Sequence, residues 1–441
     1  MKIKILRIIC FTLALVFIIG SISGCSRKGA ESSKNVLEVA VLESAYGSEM
    51  WENICTAFEK LYPEVDVKLT AEKNLEDVIG SRMKSGDWPD YVHLATGREA
   101  GLTETLIKEE ALESIEDVLK MEIPGEADTV SEKLTPGFCD TLATNPYSDK
   151  QTYLAPMFYS PCGLFYNAGL FEKKGWEVPR TWDEMWELGD LAKKEGIWLF
   201  TYPTAGYFDS FMYALIASVG GSELFDDCMS YKEGVWESGG AKEVFSIMEK
   251  LSQYIEPTTV ANANSDNFLK NQQLVLDNKA LFMPNGTWVV EEMKDAPKSE
   301  GFKWGFTALP ATDNGKGRYS YTFFEQGWIP KEAENKDTAK KFLAYLYSDE
   351  AAKIFSEAGA VQPIKNASDF VKGDNKIFYS VYDSGAKAVM GGFRATEPVE
   401  GVNIMETLFQ TYNSVVLGDK TADEWRRAVA ADSEKLRKAI K

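Results

Sequence analysis

From residue 36 onward, apolar residues first alternate and then recur every three or four positions. Leu37, Val39 and Val41 alternate with Glu38 and Ala40, the period of a half-buried strand. Met50, Ile54, Phe58 and Leu61 follow at helical spacing, and Pro63 stops them. Val65, Val67 and Leu69 alternate again. Leu75, Ile79 and Met83 carry a second helix ending at Gly86, and residues 91–95 read as a third strand after Pro89-Asp90. Strand-helix-strand-helix-strand predicts an α/β fold on a largely parallel sheet with right-handed crossovers.

The same order restarts after Tyr153. Residues 157–166 are strand-like but broken by Pro161. Thr181-Trp182-Asp183-Glu184 is a capping box, opening a helix to about Glu195 with Gly196 behind it. Residues 197–202, 280–283, 303–309 and 327–330 read as strands. Residues 338–346, 350–358, 402–417 and 422–440 show helical apolar spacing.

The first 25 residues depart from this pattern. Lys2, Lys4 and Arg7 precede an almost wholly apolar stretch at 8–20, then Ile22-Ser23-Gly24-Cys25. That is a secretory signal with a small-residue cleavage site. Its end resembles the lipobox of bacterial lipoproteins, which implies a signal peptide at 1–24 and a mature chain starting at a lipidated Cys25. It also implies a protein anchored on the outer face of the cytoplasmic membrane. The apolar stretch is shorter than the ~20 residues a spanning helix needs. Residues 26–35 are almost devoid of apolar side chains, so 25–35 reads as a lipidated cysteine and flexible tether.

Losing three basic leader residues takes the formal charge from −19 to −22. An acidic surface favours solubility and excludes nucleic acid bound through a basic face. At 441 residues the chain exceeds one ordinary core, so two lobes are expected. His93 is the only histidine, which excludes a multi-histidine metal site; its apolar strand context makes it a core residue. Cys10 leaves with the leader. Cys55, Cys139, Cys162 and Cys228 show no C-x-x-C spacing and read as small buried hydrophobes, not as disulfides or zinc ligands. No G-x-S-x-G, H-E-x-x-H or P-loop is present. Glu291-Glu292 and Asp226-Asp227 read as solvated charges, although the many carboxylates leave a glycosidase acid pair open by count.

Polar and aromatic residues cluster just after strands, where open α/β sheets bind ligands. Five stretches stand out: Glu43-Ser44-Ala45-Tyr46-Gly47, Thr96-Gly97-Arg98-Glu99, Tyr159-Ser160-Pro161, Tyr202-Pro203-Thr204 with Tyr207-Phe208, and Asn285-Gly286-Thr287-Trp288, where Gly286 suits a tight turn. Arg98 offers a planar fork of donors, and Tyr207 and Trp288 offer flat faces with polar edges. Sugars need that combination, since their C–H faces stack on rings while their hydroxyls take hydrogen bonds. Glu43, Tyr46, Arg98, Tyr159, Tyr207, Asn285 and Trp288 are the candidate contacts.

The run Phe165-Tyr166-Asn167-Ala168-Gly169-Leu170-Phe171, then Gly175, Pro179 and Thr181-Trp182-Asp183-Glu184, resembles the family 1 extracellular solute-binding proteins of carbohydrate ABC transporters. Ala57-Phe58-Glu59-Lys60, Pro63, Val65 with Val67, Pro89-Asp90-Tyr91-Val92, Asn285-Gly286-Thr287-Trp288 and Gln362-Pro363 fit the same family in order. Several runs are similar to its N-acetylglucosamine and chitobiose-binding branch. The resemblance implies a type II periplasmic-binding-protein-like fold, two α/β lobes with a hinge and an interlobe cleft. Lobe one would be 36–155 plus 279–321, and lobe two 156–278 plus 322–441, with Tyr159-Ser160 and Phe323-Phe324 at crossings. Arg98 matches a polar contact and Trp288 the stacking tryptophan. Leu94 stands where some relatives carry Trp, with Tyr46 the candidate replacement. Arg394, in Gly392-Phe393-Arg394, lies in the region of a C-terminal contact. The implied protein is a monomeric receptor with no chemistry, metal or cofactor of its own. It hands a mono- or oligosaccharide to ABC permease subunits. A surface glycoside hydrolase, or a sugar sensor for a membrane kinase, is the alternative.

Overall fold

The computed structural model describes residues 35–440, apart from positions 45, 97, 99, 140, 148, 204, 265 and 395. The leader and Cys25 lie outside the described residues. The strands are β1 (Asn35–Leu42), β2 (Val65–Glu72), β3 (Tyr91–His93), β4 (Ala155–Asn167), β5 (Trp198–Phe200), β6 (Ala280–Gly286), β7 (Trp304–Thr307), β8 (Tyr319–Trp328) and β9 (Lys387–Val389). They form one sheet in the order β2-β1-β3-β8-β4-β6-β5, with β7 also on β4 and β9 on β8.

The expected parallel pairing is present at the ends of the sheet and, off its middle, between β8 and β9. β1 pairs in parallel with β2 and β3, and β5 with β6. The middle is antiparallel: β8 runs against β3 and β4, and β4 runs against β6 and β7. Two long strands therefore join the parallel ends. The first half of β4 lies on β8 (Ser160 opposite Phe323, Cys162 opposite Tyr321), and its second half lies on β6 and β7.

Pro161 does not break β4. It sits where the strand changes neighbours, since β6 joins only from Cys162 on. A proline without a ladder donor is tolerated at such a place. Pro284 likewise lies inside β6, opposite Leu164.

Local signals hold elsewhere. Thr181 and Glu184 form the reciprocal capping box at the start of helix Trp182–Lys194. Helix Glu49–Leu61 buries Met50, Trp51, Ile54 and Phe58, the periodic positions near its start and middle. Helix Ala205–Met229, kinked at Gly221, escapes periodicity because its stretch from Phe211 to Val219 is buried on nearly every side.

The apolar core divides into separate clusters. One gathers Leu37, Val39, Trp51 and Phe58 with Phe342, Tyr345 and Phe355 from helices Lys336–Leu346 and Asp349–Glu357. Trp51 meets Phe355 at 5.2 Å, and Phe58 meets Phe342 edge-on at 5.1 Å. Another gathers Trp182, Phe200, Phe211, Tyr213, Phe245 and Trp425. Residues 339–390 pack largely with β1 and helix Glu49–Leu61, while β6 pairs with β5 and divides between the clusters, Ala280 and Met283 going to the first and Leu281 and Phe282 to the second.

Candidate ligand-binding site

β8 is buried along most of its length but opens in the middle, at Phe323, Phe324 and Glu325. Phe323 is 43% exposed, an unusual position for a ring at the centre of a sheet. Side chains two apart share a strand face, so Tyr321, Phe323 and Glu325 point the same way.

On one side of this opening stands Tyr46, from the turn after β1. Its ring meets Phe158 edge-on at 5.7 Å. Burial and the Glu325 charge together push its hydroxyl up to about 12. His93 Nε2 and Glu325 Oε2 lie 2.9 Å apart, within hydrogen-bond distance. His93 is buried as expected, but its Nδ1 has no partner among the described residues, so it is only half satisfied.

On the other side stand Trp288 and Tyr207. The Trp288 ring lies 5.7 Å from Phe323 and 5.9 Å from Tyr207. The Tyr207 hydroxyl donates to Glu292 Oε1 at 2.5 Å, and Gln272 Nε2 donates to Glu292 Oε2 at 2.8 Å. Glu292 is therefore not the solvated charge its sequence context suggests; it holds the ring that supports Trp288. Gly286 also has another reason than a tight turn. It lies in β6, and a Cβ there would fall inside the Trp288 ring, which folds back over it.

Tyr379 ties the two sides together. Its hydroxyl lies within electrostatic reach of Ser160, Thr287 and Tyr46.

The structure thus brings Tyr46, Tyr207 and Trp288 to the β8 opening. Arg394 lies near the same region: its N–H donates to the Met229 carbonyl, and its own carbonyl accepts from Tyr231. The neighbouring Phe393 stacks on Tyr231 at 5.6 Å and approaches Tyr213 at 6.4 Å. Four candidates are placed otherwise. Arg98 is committed to Glu76, with Nε donating to Oε2 at 2.8 Å. Glu43 pairs with Lys73 at 3.7 Å. Tyr159 is buried among Phe138, Tyr379 and Tyr382, because its position on β4 faces the first cluster. Asn285 is fully buried, its Oδ1 accepting from the Gly286 N–H at 2.9 Å. Leu94 is buried too, its carbonyl accepting from Trp328 Nε1.

Glu325 and Asp209 escaped the sequence reading. Asp209 lies on helix Ala205–Met229, one turn before Tyr213, whose ring is 5.2 Å from Tyr321. Burial lifts the Asp209 carboxyl to about 7. A signal for it existed: Asp209 is the only charged residue between Ala205 and Ser222. Asp226, like Glu292, is no solvated turn charge; burial and Asp227 raise its carboxyl to about 6.

Among the described residues no group of three or more His, Cys, Asp or Glu side chains could hold a metal. Cys55, Cys162 and Cys228 are buried thiols. An open cavity of about 550 Å³ runs along Asn403, Glu406 and Gln410, but it is lined by that one segment and holds none of the candidates. No helix among the described residues is long and apolar enough to cross a membrane.

A mixed sheet whose two ends are joined by long strands, with Phe323 exposed and Glu325 half-buried on the joining strand, fits a solute-binding protein of the periplasmic type. The chain belongs to the bacterial extracellular solute-binding protein family, whose model matches residues 53–377. Among curated relatives, the diacetylchitobiose binding protein NgcE of Streptomyces coelicolor is 25% identical, over 93% of this chain and 88% of its own length. The multiple sugar-binding protein of Streptococcus mutans is 22% identical, over 83% and 84%. Among solved structures, the bacterial solute receptor AcbH, described as preferring β-D-galactopyranose, superposes with a TM-score of 0.68 at 17% identity, covering 91% of this chain and all of that one. A family 1 extracellular solute-binding protein from Bifidobacterium longum subsp. infantis gives 0.67 at 20% identity, over 92% of this chain and all of its own. At these identities the structural likeness speaks for the fold. The family is one of binding proteins, not enzymes.

Proposed function

We propose that this protein is the carbohydrate receptor of an ABC importer and binds its sugar at the β8 opening, between Tyr46 and Glu325 on one side and Trp288 and Tyr207 on the other. The observation that carries the reading is the half-exposed Phe323 ring, backed by Trp288 and followed two residues later by Glu325. Rings take the C–H faces of a pyranose, and carboxylates take its hydroxyls. Relatives named for diacetylchitobiose and for multiple sugars support the ligand class, and diacetylchitobiose is the first ligand to try.

β4 and β8 act as the hinge segments in this reading. The first lobe is built on β1–β3 with residues 339–390, and the second on β5, β6 and helix Ala205–Met229 with residues 404–436. A ligand favours closure only through contacts made with both lobes, because differential affinity is what shifts the equilibrium. The receptor works as a monomer, tethered through lipid on Cys25 to the outer face of the membrane, where the tether raises its concentration beside the permease. Stable anchoring takes more than one acyl chain.

A thermal-shift screen of mono- and oligosaccharides tests the ligand class; stabilisation by another solute class and by no sugar refutes it. In calorimetry Trp288→Ala weakens sugar binding by about tenfold or more with little change in melting temperature, and unchanged affinity removes the stacking role. Metabolic labelling with an alkyne fatty acid marks the wild type and not Cys25→Ser; equal labelling refutes the anchor.

A further inference from the structure

We infer that the site at the β8 opening selects sugars by charge, taking those that present hydroxyl, amide or amine hydrogens and rejecting those that carry a carboxylate, sulfate or phosphate. The inference rests on the carbohydrate reading above and concerns which sugars that site admits.

Two carboxylates bracket the exposed Phe323 ring. Glu325 lies two residues along the same strand face, its Oε2 2.9 Å from His93 Nε2. Asp209 lies at the other end, beside Tyr321 and Tyr213, both of which feel its charge. Tyr321 and Glu325 are four residues apart, which spans about 13 Å of extended strand. That length suits a ligand of two or more rings lying over Phe323.

Asp209 accepts one hydrogen bond, from the Ser210 N–H at 2.5 Å, and no cation faces it among the described residues. The groups that share its surroundings are the Cys162 thiol on β4, Tyr321 on β8 and Tyr213 on its own helix. A half-buried acceptor without a cation is costly to keep and is relieved by a ligand that donates. Once ionised, above a pH of about 7, the same carboxylate repels an anionic ligand that would have to be desolvated beside it. No arginine side chain is bonded to either carboxylate among the described residues: Arg98 is committed to Glu76, and Arg394 is bonded to Met229 and Tyr231 through its backbone.

Calorimetry with three disaccharide probes decides it: neutral diacetylchitobiose, its diamine chitobiose, and the dianion digalacturonate. Wild type is expected to bind the first, the second or both, and to bind digalacturonate at least tenfold more weakly. Asp209→Asn is expected to lose about tenfold on the donor sugar and to narrow the gap to digalacturonate. Glu325→Gln, at the other end of the ring, gives a second reading if Asp209→Asn does not fold, and the wild-type series needs no variant. Digalacturonate binding as tight as the neutral or amino sugar overturns the charge selection and leaves the carbohydrate reading standing, as does donor-sugar affinity unchanged in Asp209→Asn and Glu325→Gln. If a broad sugar panel including all three gives no binding while a non-sugar solute stabilises the protein, the carbohydrate reading falls and this inference with it.

Discussion

The two sides of the β8 opening are built on different principles. On the Tyr46 side the aromatic residues are core: Trp51, Phe158 and Phe355 pack at 4.8–6.0 Å, and only Tyr46 and Glu325 reach out of them. On the Trp288 side the rings are only partly buried and are braced by polar groups, Glu292 holding Tyr207 and Gln272 holding Glu292. A side made of core resists change by packing. A side made of braced rings is held by a few hydrogen bonds, which makes it the side where affinity can be altered with the fold kept.

That contrast can be broken in four places, from the largest expected effect to the smallest. Phe158→Ala removes a fully buried ring and should cost about 3–5 kcal/mol of stability, read as a large drop in the urea midpoint. A loss below about 1 kcal/mol would mean the Tyr46 side is not core. Gly286→Ala drives a methyl group into the Trp288 ring and should move that ring off Phe323. Sugar affinity is expected to fall by about tenfold, alongside a stability loss of about 1–3 kcal/mol, the usual cost of overpacking. Unchanged affinity would detach Trp288 from the site.

The third test is pH. Asp209 titrates at about 7 in the folded protein, against about 3.9 for a free aspartate. A raised carboxyl leaves its share of stability fully present below pH 4, and that share is lost as pH rises through 7. Asp209→Asn has no such loss. Its melting temperature relative to wild type should therefore climb between pH 4 and pH 8; parallel curves would mean Asp209 is better solvated than its surroundings imply. The smallest effect on binding belongs to Arg98→Ala, which takes the ion-pair partner from a Glu76 side chain only 10% exposed and should cost about 1–3 kcal/mol of stability with sugar affinity unchanged. A large affinity loss would bring Arg98 back into the site.

Tyr46, Tyr207 and Trp288 were legible because each follows a strand and carries a ring with a polar edge. Arg98 had the right chemistry and the right place in the chain, yet Glu76 claims it from the helix before β3. Tyr159 had the right crossing but the wrong face of β4. Glu325 and Asp209 were missed for opposite reasons: Glu325 lies within a strand whose start periodicity did not mark, and Asp209 lies on a helix too uniformly apolar to show a face.

The sequence by itself determined the α/β class, the capping box at Thr181, the parallel end strands and the scarcity of catalytic groups, because these depend on local spacing and on composition. Tertiary structure decided which polar groups remain unclaimed and which stretches pack together. Both depend on strand pairings and side-chain partners more than a hundred residues apart, such as His93 with Glu325 and Cys162 with Tyr321. No local period records such pairs, and here they separate a proposed ligand contact from a buried residue.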